Sequence, residues 1–447
     1  MNRVLARGGG AFGITESRVA AAAICADLRG GELLDPSFDR RTAALEPRDR
    51  RWARELVYGM LRRRGWIDAL LDPLVRTGLA RVDADVVDLL RLGTQQLLFM
   101  GSVPPYAAIA QTVELAKRAH GLGASRFVNA VLRRVDRERD RLHVPLPESP
   151  LEALAVELSH PAWLVQRWGE RWGLDETRRL LEANNTEAPL VARPVRTTAE
   201  ELRRSLAAAG VETAPAPLVD DSIVLTGGLS SLTELGAFRQ GHFHLQDPAS
   251  TLVTRYAAIE PGSRVADLCA APGGKAVELS RTAGQVFASD LSTLRLERVR
   301  ANVARLEAHR VFPYVADARS PAVRSMDVVL IDVPCTGTGT FRRHPDARWR
   351  LRASDLAMLG VLQRQILRAA ADVVRPGGLL IYSTCSLEPE ENDAPVDGFL
   401  ADHAEWTLEP PAAGAVPDEV LDAGRLRVLP QRHGTDGAFA ARLRRAA

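Results

Sequence analysis

The chain has 447 residues, of which 46% are hydrophobic and 26% are charged, and its formal net charge is +2. This composition excludes wholesale disorder, and the length indicates two or three domains. The sequence contains no apolar run of about 18 residues that could span a membrane, and the first ten residues lack the apolar core of a secretory signal. The four cysteines, at positions 25, 269, 335 and 385, form no C-x-x-C pair. We therefore expect a cytoplasmic protein with no disulfide framework, no metal site and no membrane association.

The first domain, residues 1–142, is predicted to be helical and basic. Apolar residues recur at steps of three and four in residues 82–100 and again in residues 107–120. Residues 1–150 carry 24 Lys and Arg against 18 Asp and Glu. This excess of positive charge favours a polyanionic partner such as nucleic acid, although a solvated arginine-rich surface has the same composition. A proline-bearing linker at residues 144–150 leads into a predicted α+β connector at residues 150–240.

Residues 241–447 alternate between short apolar runs and helical patterns. The predicted strands are residues 264–268, 285–290, 327–332 and 378–383. This alternation predicts a Rossmann-like α/β domain with a mostly parallel sheet. Ligands in such sheets bind beyond the carboxyl ends of the strands, so the residues that follow each strand are the candidate site.

A small-residue turn, Asp267-Leu-Cys-Ala-Ala-Pro-Gly-Gly-Lys275, follows the first of these strands. Its glycines suit a tight turn and a close approach of backbone N–H groups to a ligand. It matches the ATP-binding G-x-x-x-x-G-K-[ST] loop poorly, because Cys269 replaces the first glycine and Ala276 replaces the hydroxyl residue. Asp290 ends the next strand, where a nucleoside-binding sheet holds ribose hydroxyls. The pattern suggests a nucleoside-like cofactor such as S-adenosylmethionine, and an ordinary strand–helix turn remains the alternative.

Two cysteines follow predicted strands in the second half of the domain. Cys335 lies in Asp332-Val-Pro-Cys-Thr-Gly, and Cys385 lies in Tyr382-Ser-Thr-Cys-Ser. A thiolate can attack an electron-poor ring carbon and divide a difficult alkylation into two easier steps. Single cysteines are usually small buried hydrophobic residues, which is our interpretation of Cys25 in its alanine-rich helix. Two cysteines at strand ends beside Asp332 favour catalysis.

An arginine-rich segment, residues 341–352, follows the Cys335 turn. It holds five arginines and Trp349 within 12 residues. Arginines neutralise phosphates and tryptophan stacks on bases, so we interpret the segment as a nucleic-acid contact, with a solvated loop as the alternative.

These motifs together resemble the bacterial ribosomal RNA cytosine-C5 methyltransferases of the RsmB type, in the wider Nol1/Nop2/Sun family. Residues 55–59 and 127–133 are similar to the NusB-like RNA-binding domain of that family. The remaining motifs occur in the family's order at residues 246–250, 267–275, 290, 317–318, 332–335, 343–346, 376–378, 384–386 and 434–437. The resemblance covers nearly the whole chain. It implies a NusB-like domain, a connector and an S-adenosylmethionine-dependent methyltransferase domain, at the boundaries given above.

The resemblance also implies a role for each matching residue. Cys385 is the expected nucleophile, which adds to C6 of the target cytosine, and Cys335 is expected to assist release of the adduct, as or beside the base that removes the C5 proton. The target cytosine must be unpaired or flipped into the pocket. Asp332 is also expected to contact this cytosine, and Lys275 to lie near it. The residues expected to bind S-adenosylmethionine are Cys269, Ala270, Ala271, Pro272, Gly273, Gly274, Lys275, Asp290, Asp317 and Asp332.

Three alternatives remain. By analogy with DNA cytosine-C5 methyltransferases, Cys335 would be the nucleophile, but the Thr384-Cys385 motif favours the RNA arrangement. The substrate could be tRNA, although the NusB-like domain favours small-subunit (16S) ribosomal RNA. A non-catalytic RNA-binding assembly factor is disfavoured because Asp332, Cys335 and Cys385 are all present. We expect a monomer that acts on ribosomal RNA before the subunit is fully assembled.

Overall fold

The computed structural model describes residues 13–229 and 231–447. The helices are α1 (Glu16–Arg29), α2 (Leu34–Thr42), α3 (Pro47–Leu71), α4 (Ala84–Phe99), α5 (Pro105–Arg137), α6 (Pro150–Glu157), α7 (Ala162–Trp172), α8 (Leu174–Asn185), α9 (Ala199–Ala208), α10 (Gly236–Arg239), α11 (Pro248–Ala257), α12 (Gly274–Leu279), α13 (Thr293–Arg305), α14 (Ala347–Arg350), α15 (Ala353–Asp372), α16 (Asp393–Asp402) and α17 (Pro430–His433). The strands are β1 (Leu190–Pro194), β2 (Glu212–Pro215), β3 (Ile223–Gly227), β4 (Phe243–Leu245), β5 (Arg264–Asp267), β6 (Gln285–Asp290), β7 (Val311–Val315), β8 (Met326–Asp332), β9 (Val374–Thr384), β10 (Trp406–Leu408), β11 (Leu421–Asp422), β12 (Arg425–Val428) and β13 (Ala438–Arg445).

The described residues form two compact units. The first unit comprises the residues up to Asn185 together with His344–Arg350, and the second comprises Thr186–Arg343 and Leu351–Ala447. Helices α6 to α8, which the sequence assigned to the connector, therefore group with the N-terminal helices. No helix in the described part of the chain combines the length and apolar character needed to cross a membrane.

The first unit is helical, as predicted. Apolar residues of α1 to α5 form one buried cluster, which includes Cys25, and this confirms its interpretation as a core residue. Asp83 caps α4 by accepting a hydrogen bond from the N–H of Asp85, at 2.9 Å. Helix α5 contains the predicted residues 107–120, and Gly121, whose φ is 79°, interrupts the helix directly after them.

The second unit contains two sheets. The smaller sheet is antiparallel, in the order β2-β3-β1-β4, and α9 contributes Leu202 and Leu206 to the core against it. The larger sheet has the order β11-β12-β13-β9-β8-β5-β6-β7, with β10 paired to β13. Strands β9, β8, β5, β6 and β7 are parallel, whereas β13 is antiparallel to β9. This confirms the predicted mostly parallel α/β sheet.

The large sheet is buried on both faces because its strand residues are apolar at successive positions. Val265 and Val328 belong to one core cluster, whereas their neighbours Ala266 and Val329 belong to another. Successive side chains of a strand point to opposite faces, so each cluster covers one face. This explains why the predicted strands are continuous apolar runs.

The contact of α4 with α5 gives a matched test of packing. A Cβ added at Gly93 would lie 2.6 Å from Leu132 Cδ1, whereas one at Gly123 meets nothing within 4 Å. We expect Gly93→Ala to lower the free energy of unfolding by about 1–3 kcal/mol through overpacking. Gly123→Ala should leave it unchanged or raise it by up to about 1 kcal/mol, because alanine favours a helix. Urea unfolding followed by circular dichroism measures both, and equal effects would contradict this account.

Candidate active site

The candidate site lies where the strand order of the large sheet reverses. Strand β5 pairs with β6 on one side and β8 on the other, and all three strands are parallel. A parallel sheet leaves a crevice at the carboxyl ends of its strands at such a point. The loop from Cys269 to Lys275 follows β5 there, and the Cys335 loop follows β8.

The loop after β5 is held close to the sheet and to α13. The N–H of Ala270 donates to the carbonyl oxygen of Ser289 at 2.8 Å. Gly273 precedes α12 with a φ of 103°, and a Cβ at this position would lie 3.1 Å from Val299 Cγ1. A side chain at Gly273 would therefore be strained and crowded, which explains the glycine.

Two buried carboxylates lie at the ends of β5 and β6. Asp267 is buried, and no side chain among the described residues hydrogen-bonds its carboxylate, which the backbone N–H of Cys269 approaches. Burial raises the pKa of Asp267 to about 7, and Lys275 opposes this shift. Asp290 is also buried, and its Oδ1 accepts from the N–H of Ser292 at 3.0 Å. A buried carboxylate without a side-chain hydrogen-bond partner, next to a small-residue turn, suits a polar ligand with hydroxyl or amino groups, so these residues fit the predicted nucleoside-like cofactor.

Asp317 lies next to Asp290 at this edge of the sheet. The N–H of Ala316 donates to the carbonyl oxygen of Asp290 at 3.3 Å. The carboxylate of Asp317 accepts from the N–H of Arg319 at 2.9 Å and from its guanidinium at 2.6 Å. Its assignment to the cofactor site therefore stays a prediction, in competition with a local ion pair.

Lys275 joins the cofactor loop to the end of β8. Its Nζ lies 2.7 Å from Asp332 Oδ2 and 3.5 Å from Ser250 Oγ. Burial acts to lower the pKa of Lys275, but the charge and hydrogen bond of Asp332 outweigh burial and raise the pKa. Asp332 Oδ1 also accepts from Ser383 Oγ, at 2.9 Å. An ammonium and a carboxylate are thus fixed together beside the crevice.

The two cysteines that follow β8 and β9 are in contact. Cys335 Sγ lies 3.3 Å from Cys385 Sγ. The hydrogen bond to Cys385 and then burial raise the pKa of the Cys335 thiol well above its ordinary value. Burial likewise raises the pKa of Cys269. A raised pKa keeps a thiol protonated, so Cys335 can donate a hydrogen bond to the sulfur of Cys385.

The loop that follows Cys335 lies directly on the backbone of Cys385. The N–H of Gly339 donates to the carbonyl oxygen of Cys385 at 3.0 Å, and the N–H of Gly437 donates to that of Gly339 at 2.8 Å. A Cβ at Gly339 would lie 2.7 Å from both the Cys385 oxygen and Gly437 Cα. Only glycine permits this approach.

A buried cluster of four charges fixes the end of this loop. Arg342 Nη2 lies 2.8 Å from Asp247 Oδ2, and Arg342 Nε lies 2.6 Å from Asp436 Oδ1. Arg343 bridges the same two carboxylates at 2.5 Å. Asp247 also caps α11 through the N–H of Ala249, at 2.9 Å. The sequence analysis matched the motifs at residues 246–250 and 434–437 but did not pair their acids with these arginines.

Two further residues of the arginine-rich segment, Arg348 and Trp349, also have internal partners. Arg348 is fully buried and donates to Asn185 Oδ1 at 2.7 Å and to the carbonyl oxygen of Asn184 at 2.9 Å. The indole N–H of Trp349 donates to the carbonyl oxygen of Leu61 at 2.8 Å. These contacts lie within the first unit. Arg342, Arg343 and Arg348 therefore stabilise the fold, whereas Arg352 is exposed. A nucleic-acid contact by this segment stays a prediction.

The sequence analysis missed Glu391 and Asn392, which follow β9. Both are buried, and each makes hydrogen bonds to one of the two cysteine turns. The sequence offered no signal for them, because the burial of an acid or amide is not visible in an acidic segment such as Glu388-Pro-Glu-Glu-Asn392, and such residues are usually exposed.

Comparison with known proteins identifies the family of the chain. Residues 256–444 match the family model "16S rRNA methyltransferase RsmB/F", residues 15–137 match the NusB family, and residues 160–231 match the ferredoxin-like domain of RsmF/B-like methyltransferases. A Synechocystis protein named "Probable ribosomal RNA small subunit methyltransferase B" is 34% identical over 96% of this chain and 99% of its own length. The chain belongs to the RsmB/RsmF family of methyltransferases.

Other relatives extend this result. The ribosomal RNA small subunit methyltransferase B of Vibrio cholerae is 33% identical over 94% of this chain and 95% of its own length. The crystal structure of the protein PH0851 has a TM-score of 0.80 and 28% identity, over 96% of this chain and 99% of that one. The family confirms S-adenosylmethionine as the cofactor and a NusB domain at the N-terminus. The assignment of the Cys269–Lys275 turn, Asp290, Asp317 and Asp332 to this cofactor stays a prediction.

The raised pKa of Asp267 predicts how stability depends on pH. Its pKa is about 7 in the folded chain and near 3.8 in the unfolded chain, so between these values the folded state binds more protons. The free energy of unfolding therefore falls as the pH rises through this range, by at most about 4 kcal/mol. We expect Asp267→Asn to stabilise the cofactor-free protein more at pH 8 than at pH 5. Urea unfolding at both pH values measures this, and a difference independent of pH would contradict it.

Proposed function

We propose that the chain transfers a methyl group from S-adenosylmethionine to C5 of a cytosine in 16S ribosomal RNA, through a covalent adduct between Cys385 and C6. The observation that carries this proposal is the contact of the Cys335 and Cys385 sulfurs at 3.3 Å, beside the Lys275–Asp332 pair. Methylation of an electron-rich oxygen or nitrogen needs no nucleophile from the protein, whereas C5 of cytosine must first be activated by addition at C6. Two thiols in contact at the cofactor crevice suit that requirement.

The reaction balances as follows. The Cys385 thiolate forms a bond to C6, and the electron pair of the C5–C6 double bond moves to C5. The cofactor supplies the methyl group that C5 takes. A base then removes the C5 proton, and the electron pair of that C–H bond restores the double bond and expels the Cys385 thiolate. The products are 5-methylcytosine, S-adenosylhomocysteine and one proton, and Cys385 is regenerated.

The state of Cys335 supports Cys385 as the nucleophile. The raised pKa of Cys335 leaves it a protonated thiol, which is a poor nucleophile but a good hydrogen-bond donor. Its proton stabilises negative charge on the sulfur of Cys385, both before attack and as that sulfur leaves. We therefore propose that Cys335 assists release of the adduct beside the base.

The Lys275–Asp332 pair supports binding of the cytosine at the same edge. Asp332 would accept a hydrogen bond from protonated N3 of the cytosine and so stabilise the charge there when C6 is attacked. Lys275 holds Asp332 in place at 2.7 Å. Access to this edge requires an unpaired or flipped base.

The names of the relatives support ribosomal RNA of the small subunit as the substrate. The proposal extends to a monomer in the cytoplasm that acts before the subunit is fully assembled. It includes three domains, with a NusB-like RNA-binding domain at residues 1–142, a connector at 150–240 and the methyltransferase domain at 241–447. Methylation of tRNA is the competing outcome, and bisulfite sequencing of total RNA from cells with and without the gene distinguishes the two.

Substitution of the two cysteines tests the covalent step. We expect Cys385→Ala to form no covalent RNA complex and to lose methyl transfer, because no thiolate can reach C6. Cys335→Ala should accumulate a covalent complex that survives denaturing electrophoresis, because release is slowed. Labelled methyl transfer to 16S ribosomal RNA is measured in parallel, and Cys25→Ala, in the core of the first unit, serves as the control. An adduct in Cys385→Ala but not in Cys335→Ala would reverse the assignment.

A further inference from the structure

Glu391 is a fully buried carboxylate with only neutral hydrogen-bond partners. Its relative exposure is 0%. Glu391 Oε1 accepts from the N–H of Thr336 at 2.9 Å and from Gln363 Nε2 at 3.0 Å, and Oε2 accepts from Thr336 Oγ1. A buried carboxylate costs free energy even when it is hydrogen-bonded, and neutral donors offset less of that cost than an arginine would. Because burial of the Glu391 carboxylate costs free energy, its presence indicates a role beyond packing.

The three hydrogen bonds of Glu391 fasten the turn that carries Cys335. Thr336, which directly follows Cys335, donates two of them. Gln363 of α15, which donates the third, also donates to the carbonyl oxygen of Pro334 at 2.9 Å. The turn is therefore held on both sides of Cys335, and the position of the sulfur follows from these bonds.

The next residue, Asn392, fastens the turn that carries Cys385. Asn392 Oδ1 accepts from Thr384 Oγ1 at 2.5 Å, and Asn392 Nδ2 donates to the carbonyl oxygen of Ser386 at 2.9 Å. The backbone between Glu391 and Asn392 is itself anchored, because Tyr382 Oη donates to the carbonyl oxygen of Glu391 at 2.5 Å. One peptide unit therefore sets the separation of the two sulfur-bearing turns.

We propose that Glu391 is a positioning residue that fixes the Cys335 thiol against Cys385 Sγ and so controls how fast the covalent adduct is released. This inference rests on the proposed function for its role in release. The role differs from that of Asn392, which acts on the nucleophile's own turn.

The charge of Glu391 supports this role. The pKa of Cys335 is raised first by its hydrogen bond to Cys385 and by burial, and then by the negative charges of Cys385, Glu391 and Asp332. Tyr382, whose own pKa burial raises, also faces this thiol. Loss of the Glu391 charge would lower the pKa of Cys335. The Cys335 thiol would then lose more readily the proton that lies between it and Cys385.

Two substitutions, Glu391→Gln and Glu391→Ala, distinguish the effect of the negative charge from the effect of the hydrogen bonds that position the turn. The amide oxygen of glutamine can still accept from the Thr336 N–H and Gln363, so Glu391→Gln removes the charge and keeps most of the hydrogen bonds. Glu391→Ala removes both. Glu390→Gln is the matched control, because it makes the same charge change at the exposed neighbouring residue.

The first measurement is single-turnover kinetics with the RNA substrate. We expect Glu391→Ala to slow adduct release at least tenfold and to change the rate of adduct formation less than threefold. Glu391→Gln should slow release by an intermediate factor, and Glu390→Gln should not change it. A purely structural role would slow formation and release together. Release at the wild-type rate in both Glu391 variants, or equal slowing of both steps, would overturn the proposal.

The second measurement needs no RNA. Alkylation of Cys335 by iodoacetamide, followed from pH 7 to 10 by peptide mass spectrometry, reports the fraction of thiolate. We expect the pH profile of Cys335 to shift to lower pH in Glu391→Gln, with alkylation several-fold faster at pH 8. An unchanged profile would overturn the proposal even if Glu391→Ala fails to fold. If the wild-type protein forms no RNA adduct but the profile still shifts, the proposed function fails while Glu391 keeps its effect on Cys335.

Discussion

The register between β8 and β9 is the constraint on which the site depends. Asp332 is paired with Ser383 across these parallel strands, and the N–H of Val333 continues the ladder to the carbonyl oxygen of Ser383 at 3.0 Å. Cys335 lies three residues beyond one member of this pair, and Cys385 lies two beyond the other. A slip of one residue would turn the apolar side chains of the strand to the wrong faces, so burial of both faces holds the register. The meeting of two sulfurs distant in sequence therefore follows from ordinary sheet packing.

Polar side chains fix the loops that follow the strands of the sheet. The buried cluster of Arg342, Arg343, Asp247 and Asp436 fixes the far end of the loop that starts at Cys335. Buried ion pairs contribute little net stability compared with apolar residues of the same volume, but each removes alternative arrangements of the chain. The charge cluster and the hydrogen bonds of Glu391 and Asn392 thus fix the positions of the loops rather than add to the stability of the fold. Fixed positions favour catalysis, because small displacements of reacting groups reduce rates strongly.

Much of the fold could be predicted because it depends on local patterns. The apolar runs identified β5, β6, β8 and β9 to within a few residues, and the small-residue turn and both cysteine motifs followed strand ends as expected. Long-range pairing of charges was not predictable, because an arginine that bonds an aspartate some 95 residues away looks the same in sequence as one exposed to solvent. That is why Arg342, Arg343 and Arg348 were interpreted as nucleic-acid contacts. Glu391 was missed for the same reason, since burial of an acid depends on tertiary structure.

The closeness of Cys335 to Cys385 has a consequence for the conditions in which the protein can work. Their sulfurs, 3.3 Å apart, need only a short movement to reach the bond length of about 2.05 Å in a disulfide. Oxidation by a peroxide would remove two electrons and two protons from the pair and leave no thiolate to attack a base. A small-molecule thiol would restore the pair by disulfide exchange. The contact that allows Cys335 to assist Cys385 therefore also makes the activity of the site dependent on reducing surroundings.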